Sequence, residues 1–249
     1  MIVLKSDDEL KAMRRAGLVV AQAHELVRAN VRPGISTGEL NQMVEDFLVG
    51  QDAIPAFKGY HGYPATICAS IDEVVVHGIP DFEAKLQEGS IIGVDIGAFV
   101  DGFCGDSAWT YAVGDIDEDA QRLLEATEGA LYQGIEAAVV GNRLGDVSHA
   151  IQTFVEQAGF SVVRDFVGHG IGRVMHEDLQ IPNFGPPGRG VRLKHGMTLA
   201  LEPMVNAGAY HVEVLPDYWT VKTKDRSLSA HFEHTIAVTE NGPEILTKS

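Results

Sequence analysis

Ile91-Ile92-Gly93-Val94-Asp95-Ile96-Gly97-Ala98-Phe99-Val100-Asp101-Gly102-Phe103-Cys104-Gly105-Asp106 reads as a β-hairpin, because two apolar runs flank Asp101-Gly102, a residue pair suited to a two-residue turn. The turn sets the register. Pairing outward from it places Gly97 opposite Asp106, and side-chain alternation puts Asp95 on the face of Gly97. Asp95 and Asp106 are therefore expected as diagonal neighbours about 7–8 Å apart, two like charges that need cations between them to share a core. Gly97 and Gly105 leave room for something to approach the sheet beside them. An exposed hairpin with solvated aspartates is the bland alternative, and the apolar residues around Asp95 count against it.

Helical signals precede the hairpin. Ser6 followed by Glu9 forms a capping-box pattern, and Leu10, Met13, Gly17, Val20 and Val27 recur near helical spacing. Pro33-Gly34 ends that segment, and a second helix is expected from about Thr37 with Leu40, Val44, Phe47 and Leu48 on one face. Residues 117–159 repeat the plan: a long helix from Asp117, a break at Gly141, then a helix carrying Val147, Ile151, Phe154 and Val155 before Gly159. The repeat holds position by position. Gly34, Gly38, Glu39, Leu40, Val44, Phe47 and Leu48 become Gly141, Gly145, Asp146, Val147, Ile151, Phe154 and Val155 at a constant offset of 107 residues. One long period occurring twice predicts a fused duplication, with pseudo-symmetric halves of about 1–115 and 116–249 in a single domain spanning 1–249. The same offset carries Asp95 to Glu202. Glu233 is expected as the partner of Asp106 at an offset of 127, given a longer insertion in the second hairpin.

Composition bounds the chemistry. The 249 residues are 45% hydrophobic and 22% charged, ordinary for a globular chain. The formal net charge of −16 repels phosphate backbones and favours cationic ligands such as a free peptide amino terminus, so no direct nucleic-acid binding is expected. The first residues lack the apolar run of a signal peptide, and no segment approaches the roughly 20 apolar residues of a membrane span, so a cytoplasmic location is expected. Cys68 and Cys104 are too few and too irregularly placed for a disulfide framework or a thiolate metal site, and they read as small buried hydrophobes.

The remaining chemistry-bearing residues sit in distinctive surroundings. His169 lies in Val167-Gly168-His169-Gly170-Ile171-Gly172, whose glycines let an imidazole project while the backbone passes close by, and His176 follows seven residues later. Glu202 ends the apolar run Thr198-Leu199-Ala200-Leu201, and Glu233 lies in Ala230-His231-Phe232-Glu233-His234-Thr235 ahead of the strand Ile236-Ala237-Val238. Carboxylates in such places need partners. Asp95, Asp106, His169, Glu202 and Glu233 together offer four carboxylates and one imidazole, a set suited to two Mn, Fe, Co or Zn ions rather than a closed structural zinc. The spacing around His169 is no dinucleotide fingerprint, and no phosphate loop, serine elbow or cysteine nucleophile competes.

At these five residues the sequence resembles the type I methionine aminopeptidases, and the resemblance runs nearly end to end. Its most specific stretches are Gly59-Tyr60-His61-Gly62-Tyr63-Pro64, Asp72-Glu73-Val74-Val75-Val76-His77-Gly78-Ile79-Pro80, Gly168-His169-Gly170-Ile171-Gly172-Arg173 and Leu201-Glu202-Pro203. The resemblance implies the α/β pita-bread fold, with duplicated helices packed on a curved antiparallel sheet about a pseudo-twofold axis. It also implies that Asp95, Asp106, His169, Glu202 and Glu233 bind two divalent metals, that His77 and His176 contact substrate, and that Tyr60, Tyr63, Cys68, His77 and Trp219 line a methionine pocket completed near Phe57 and Met175.

The activity so implied is removal of the N-terminal methionine from nascent proteins and peptides by a hydroxide bridging two ions. Glu202 would move the proton, His176 would donate to the oxyanion and His77 would orient the amide. The implied partner is the nascent chain at the ribosome, met by a monomer. The basic loop around Arg189, Arg192 and Lys194 reads as solvated, with ribosomal contact as its functional alternative. Three other readings stand beside this one: an Xaa-Pro-type peptidase of the same fold, a non-catalytic peptide-binding module, and carboxylates that are only structural.

Overall fold

The Ser6 hydroxyl accepts the Glu9 backbone N–H while the Glu9 carboxylate accepts the Ser6 N–H at 3.0 Å, and this reciprocal cap starts the first helix. In the computed structural model, which describes residues 2–248, the first half runs α1 (Asp7–Asn30), α2 (Thr37–Gly50), β1 (Ile54–Pro55), β2 (Ile67–Ile71), β3 (Val74–Val76), β4 (Ile91–Val100) and β5 (Phe103–Ala112). The second half runs α3 (Glu118–Ala137), α4 (Leu144–Gln157), β6 (Ser161–Val162), β7 (Gly168–Gly170), β8 (Glu177–Ile181), β9 (Thr198–Leu201), β10 (Met204–Asn206), β11 (Val212–Val214), β12 (Val221–Thr223), β13 (Ser229–His231), β14 (His234–Thr239) and β15 (Gly242–Ile245).

The duplication extends to individual hydrogen bonds. α2 and α4 are both 14 residues long and begin 107 positions apart. The turns before them use glycines in the left-handed region, Gly34 at φ +89° and Gly141 at φ +96°, a conformation that side chains disfavour. Each glycine N–H then donates to an equivalent carbonyl, Gly34 to Leu86 and Gly141 to Leu193. Bridges between Ser36 and Lys85 and between Arg143 and Arg192 keep the same offset.

Among the described residues all strand pairings are antiparallel, eleven ladders gathered in four sheets. β4 is central to the first half, with β5 on one edge and β1 and β2 on the other. The β4–β5 hairpin turns at Asp101-Gly102, both with positive φ, and pairs Gly97 with Asp106 as the turn chemistry predicts. In the second half β9 lies between β14 and β7. The β9–β14 and β10–β13 pairings share one register, interrupted at Pro203, which has no N–H to give the ladder.

That register corrects one expected correspondence. Continued across the interruption, it sets Glu233 opposite Glu202 itself, whereas Asp106 lies diagonal to Asp95. Glu233 still reaches Asp106, but across the seam between halves and not as its repeat equivalent. There the Glu233 N–H donates to Ala108 O (2.8 Å), the Ser107 hydroxyl donates to Glu233 O (2.7 Å), and the Thr235 hydroxyl donates to Asp106 O (2.8 Å). Each half also packs its own helices on its own strands: Val20, Leu40 and Val44 against Ile92 and Val94, and Leu131, Val147 and Ile151 against Leu199 and Leu201. A third apolar cluster, with Phe57, Tyr63, Met175 and Ala200, draws on both halves.

Candidate metal centre and active site

The seam brings five chemically matched side chains into one cavity of about 170 Å³. Asp95 comes from β4, Asp106 from β5 and His169 from β7, while Glu202 and Glu233 sit at the β9 and β14 ends. Ligand atoms of Asp106, His169 and Glu233 all lie within 4.8 Å of one another. His169 Nε2 is 3.9 Å from Asp106 Oδ2 and 3.6 Å from Glu202 Oε1. Its Nδ1 lies 3.0 Å from Gly170 O; a neutral imidazole donates there and leaves the Nε2 lone pair facing the carboxylates.

The electrostatics of this cluster favour cations. Burial raises the pKa of all four carboxyls above the usual carboxylate range, Asp95 to about 7. Neighbouring charge adds to the effect: Glu233 and Asp95 raise Asp106, Asp95 and Asp106 raise Glu202, and Glu202 and Asp95 raise Glu233. Asp95 Oδ1, Asp106 Oδ1 and Glu233 Oε1 are buried without a hydrogen-bond partner among the described residues. Orphaned carboxylate oxygens crowded together are costly unless cations join them, so the donor set fits divalent metal.

Above this floor stands a wall of aromatic and sulfur-bearing side chains. Tyr60, Tyr63, Cys68, His77, His176 and Trp219, singled out from the sequence for substrate contact, all line the same cavity. Phe57 and Met175 complete it. The Tyr63 hydroxyl donates toward Ile67 O (3.1 Å) and Gly78 O (2.9 Å), and its ring meets Trp219 edge-on at 5.1 Å. The Cys68 thiol is pushed up by burial, then by the nearby Asp95 carboxylate, which keeps it a neutral apolar lining group. His77 adopts φ +60°, and burial followed by the neighbouring His176 lowers its pKa to about 4. His176 sits over the His169 ring at 4.1 Å and bonds the Tyr60 hydroxyl through Nδ1 at 2.8 Å. Burial, then His61, lowers its pKa too.

Residues 11–240 match the model of metallopeptidase family M24. The chain is 55% identical over 248 residues to methionine aminopeptidase 1 of Bacillus subtilis and 51% identical over 247 residues to methionine aminopeptidase of Clostridium acetobutylicum, covering 99% or more of each chain in both pairs. It belongs to family M24, among the methionine aminopeptidases. The crystal structure of methionine aminopeptidase from Thermotoga maritima superposes with a TM-score of 0.98 at 49% identity, covering 100% of both chains, which identifies the fold as the pita-bread fold of this family. As a metallopeptidase of this family, the enzyme uses divalent metal. No helix among the described residues is long and apolar enough to cross a membrane.

One buried residue beside the carboxylates escaped the sequence reading. His231 stands with Glu202 and Glu233 in a second group whose ligand atoms lie within 4.8 Å of one another. Burial, reinforced by His77, holds its pKa down at about 3. Two-residue alternation from Glu233 was the available signal, since it places side chain 231 on the same face of a strand.

Proposed function

We propose that this M24 enzyme excises methionine at a two-ion centre held by Asp95, Asp106, His169, Glu202 and Glu233, the two halves working as one catalytic domain. The observation that carries the reading is the convergence of four crowded carboxylates and one oriented imidazole beneath a largely apolar pocket. Two divalent ions held by these residues would supply Lewis-acid chemistry, making water a nucleophile near neutral pH and polarising the scissile carbonyl. Glu202 carries the proton from nucleophile to leaving amine. Neutral His176, engaged through Nδ1 by Tyr60, donates from Nε2 to the developing oxyanion. His77 orients the scissile amide, and Tyr63, Cys68 and Trp219 receive the methionine side chain.

The physiological substrate in this reading is the N-terminus of a nascent chain, drawn as a cation toward a protein of net charge −16, which acts as a monomer in the cytoplasm. The test uses metal-stripped protein, Mn, Fe, Co and Zn added back singly, and Met-Ala-Ser beside Xaa-Pro peptides. Methionine release is expected to return as calorimetry counts two ions per chain. Preferential cleavage of Xaa-Pro substrates would restore the competing peptidase reading. Activity indifferent to chelation would remove metal from the mechanism.

A further inference from the structure

The shared register of β9–β14 and β10–β13 gives His231 a definite relation to Glu202. His231 is opposite Met204, two residues beyond Glu202, just as Asp106 is opposite Gly97, two residues beyond Asp95. His231 therefore holds, in the second half, the diagonal position that Asp106 holds in the first. On the other flank β7 sets His169 opposite Ala200, so His169 is diagonal to Glu202 as well. The carboxylate is divided between the two imidazoles: Oε1 lies 3.6 Å from His169 Nε2, and Oε2 lies 3.8 Å from His231 Nε2. His231 is 4% exposed, and its Nε2 is buried without a hydrogen-bond partner among the described residues.

We propose that His231 is a positioning residue whose Nε2–H donates to Oε2 of Glu202 and so turns Oε1 toward His169 and the metal centre. The inference rests on the reading of Glu202 as metal ligand and proton carrier. A small side-chain rotation brings the 3.8 Å separation to hydrogen-bond length. The bond gives the buried nitrogen its missing partner and fixes the carboxylate before an ion arrives, in the way outer-shell groups orient ligating side chains elsewhere. Glu202, His231 and Glu233 also lie close enough to ligate an ion directly, so the test has to separate orientation from ligation.

Metal-stripped wild type, His231→Leu, His231→Gln and Glu202→Gln are titrated with Mn²⁺ by calorimetry, and the absorption bands of the Co²⁺ forms are compared. His231→Leu is expected to weaken the tighter ion by about 10–100-fold, and His231→Gln, whose amide donor reaches the place of Nε2, to restore it to within about threefold. The Co²⁺ bands of His231→Gln are expected to match those of wild type. Unchanged affinity in His231→Leu beside weakened affinity in Glu202→Gln overturns the inference and leaves the ligand reading standing. Unchanged affinity in Glu202→Gln overturns both. Altered Co²⁺ bands in His231→Gln overturn it in favour of direct ligation. If His231→Leu does not fold, His231→Asn takes its place, since it keeps a polar group but ends short of Glu202, and it is expected to bind as weakly.

Discussion

His169 and His176 lie ring against ring at 4.1 Å, yet their surroundings suit them to different work. The Gly170 carbonyl engages Nδ1 of the first, and the Tyr60 hydroxyl engages Nδ1 of the second. Burial holds His169 down to about 4, so near neutral pH it offers a lone pair; His176 is partly solvated and free to donate to substrate. His176→Ala should therefore retain its full metal content by elemental analysis while kcat falls by about 10²–10³, the usual loss for one oxyanion donor. An unchanged kcat would take His176 out of the reaction. The sequence exposed the residue types and the glycines beside His169, but not which ring nitrogen faces the carboxylates, because that depends on carbonyls and hydroxyls placed by the fold.

The hairpin β4–β5 was legible because its turn is local: Asp101-Gly102 sets the register whatever the rest of the chain does. The capped starts of α1 and α2 were legible for the same reason. The relation of Glu233 to Glu202 was not, because it arises from pairing between strands some 30 residues apart around an interruption at Pro203. Close approach between elements was equally hidden. A Cβ on Gly17 of α1 would stand 2.1 Å from Leu246 O, and one on Gly105 of β5 would stand 2.8 Å from Gly17 N. Gly17→Ala should cost about 1–3 kcal/mol of stability by overpacking, despite the better helix propensity of alanine. Gly50, at the end of α2, has open space around its missing Cβ, and Gly50→Ala should gain about 0.4–1 kcal/mol. Urea denaturation of both variants checks the opposite signs, and equal shifts would show that the α1 contact carries no strain.

The two halves meet through backbone and hydroxyl groups that cross from β5 to the β13–β14 segment, and the acidic cluster lies on that seam. Metal binding at that cluster, as proposed above, would therefore be coupled to the stability of the whole fold. Asp95 illustrates the sign. Its folded pKa, about 7, lies above its unfolded value near 3.8, so in stripped protein its contribution is fully present below pH 3.8 and is lost as pH rises through 7. An added ion must displace the protons that such carboxyls retain. The rise in Tm on adding Mn²⁺ should accordingly grow between pH 5 and 7.5, measured as loaded minus stripped protein so that the opposite contribution of buried histidines outside the ion cluster, such as His24 with its pKa lowered to about 4, cancels. A pH-independent increment would mean that the carboxyls are already ionised before metal arrives.

Local chemistry in the chain was enough to announce the hairpin, the helix caps and the repeated pattern at an offset of 107, since each depends on neighbours a few residues away or on a repeated pattern. Pairing across the seam decided that Glu233 opposes Glu202, that His231 joins the cluster and that one cavity gathers both halves, because such contacts form only when distant strands choose a register, and that choice is made by the packing of the whole chain.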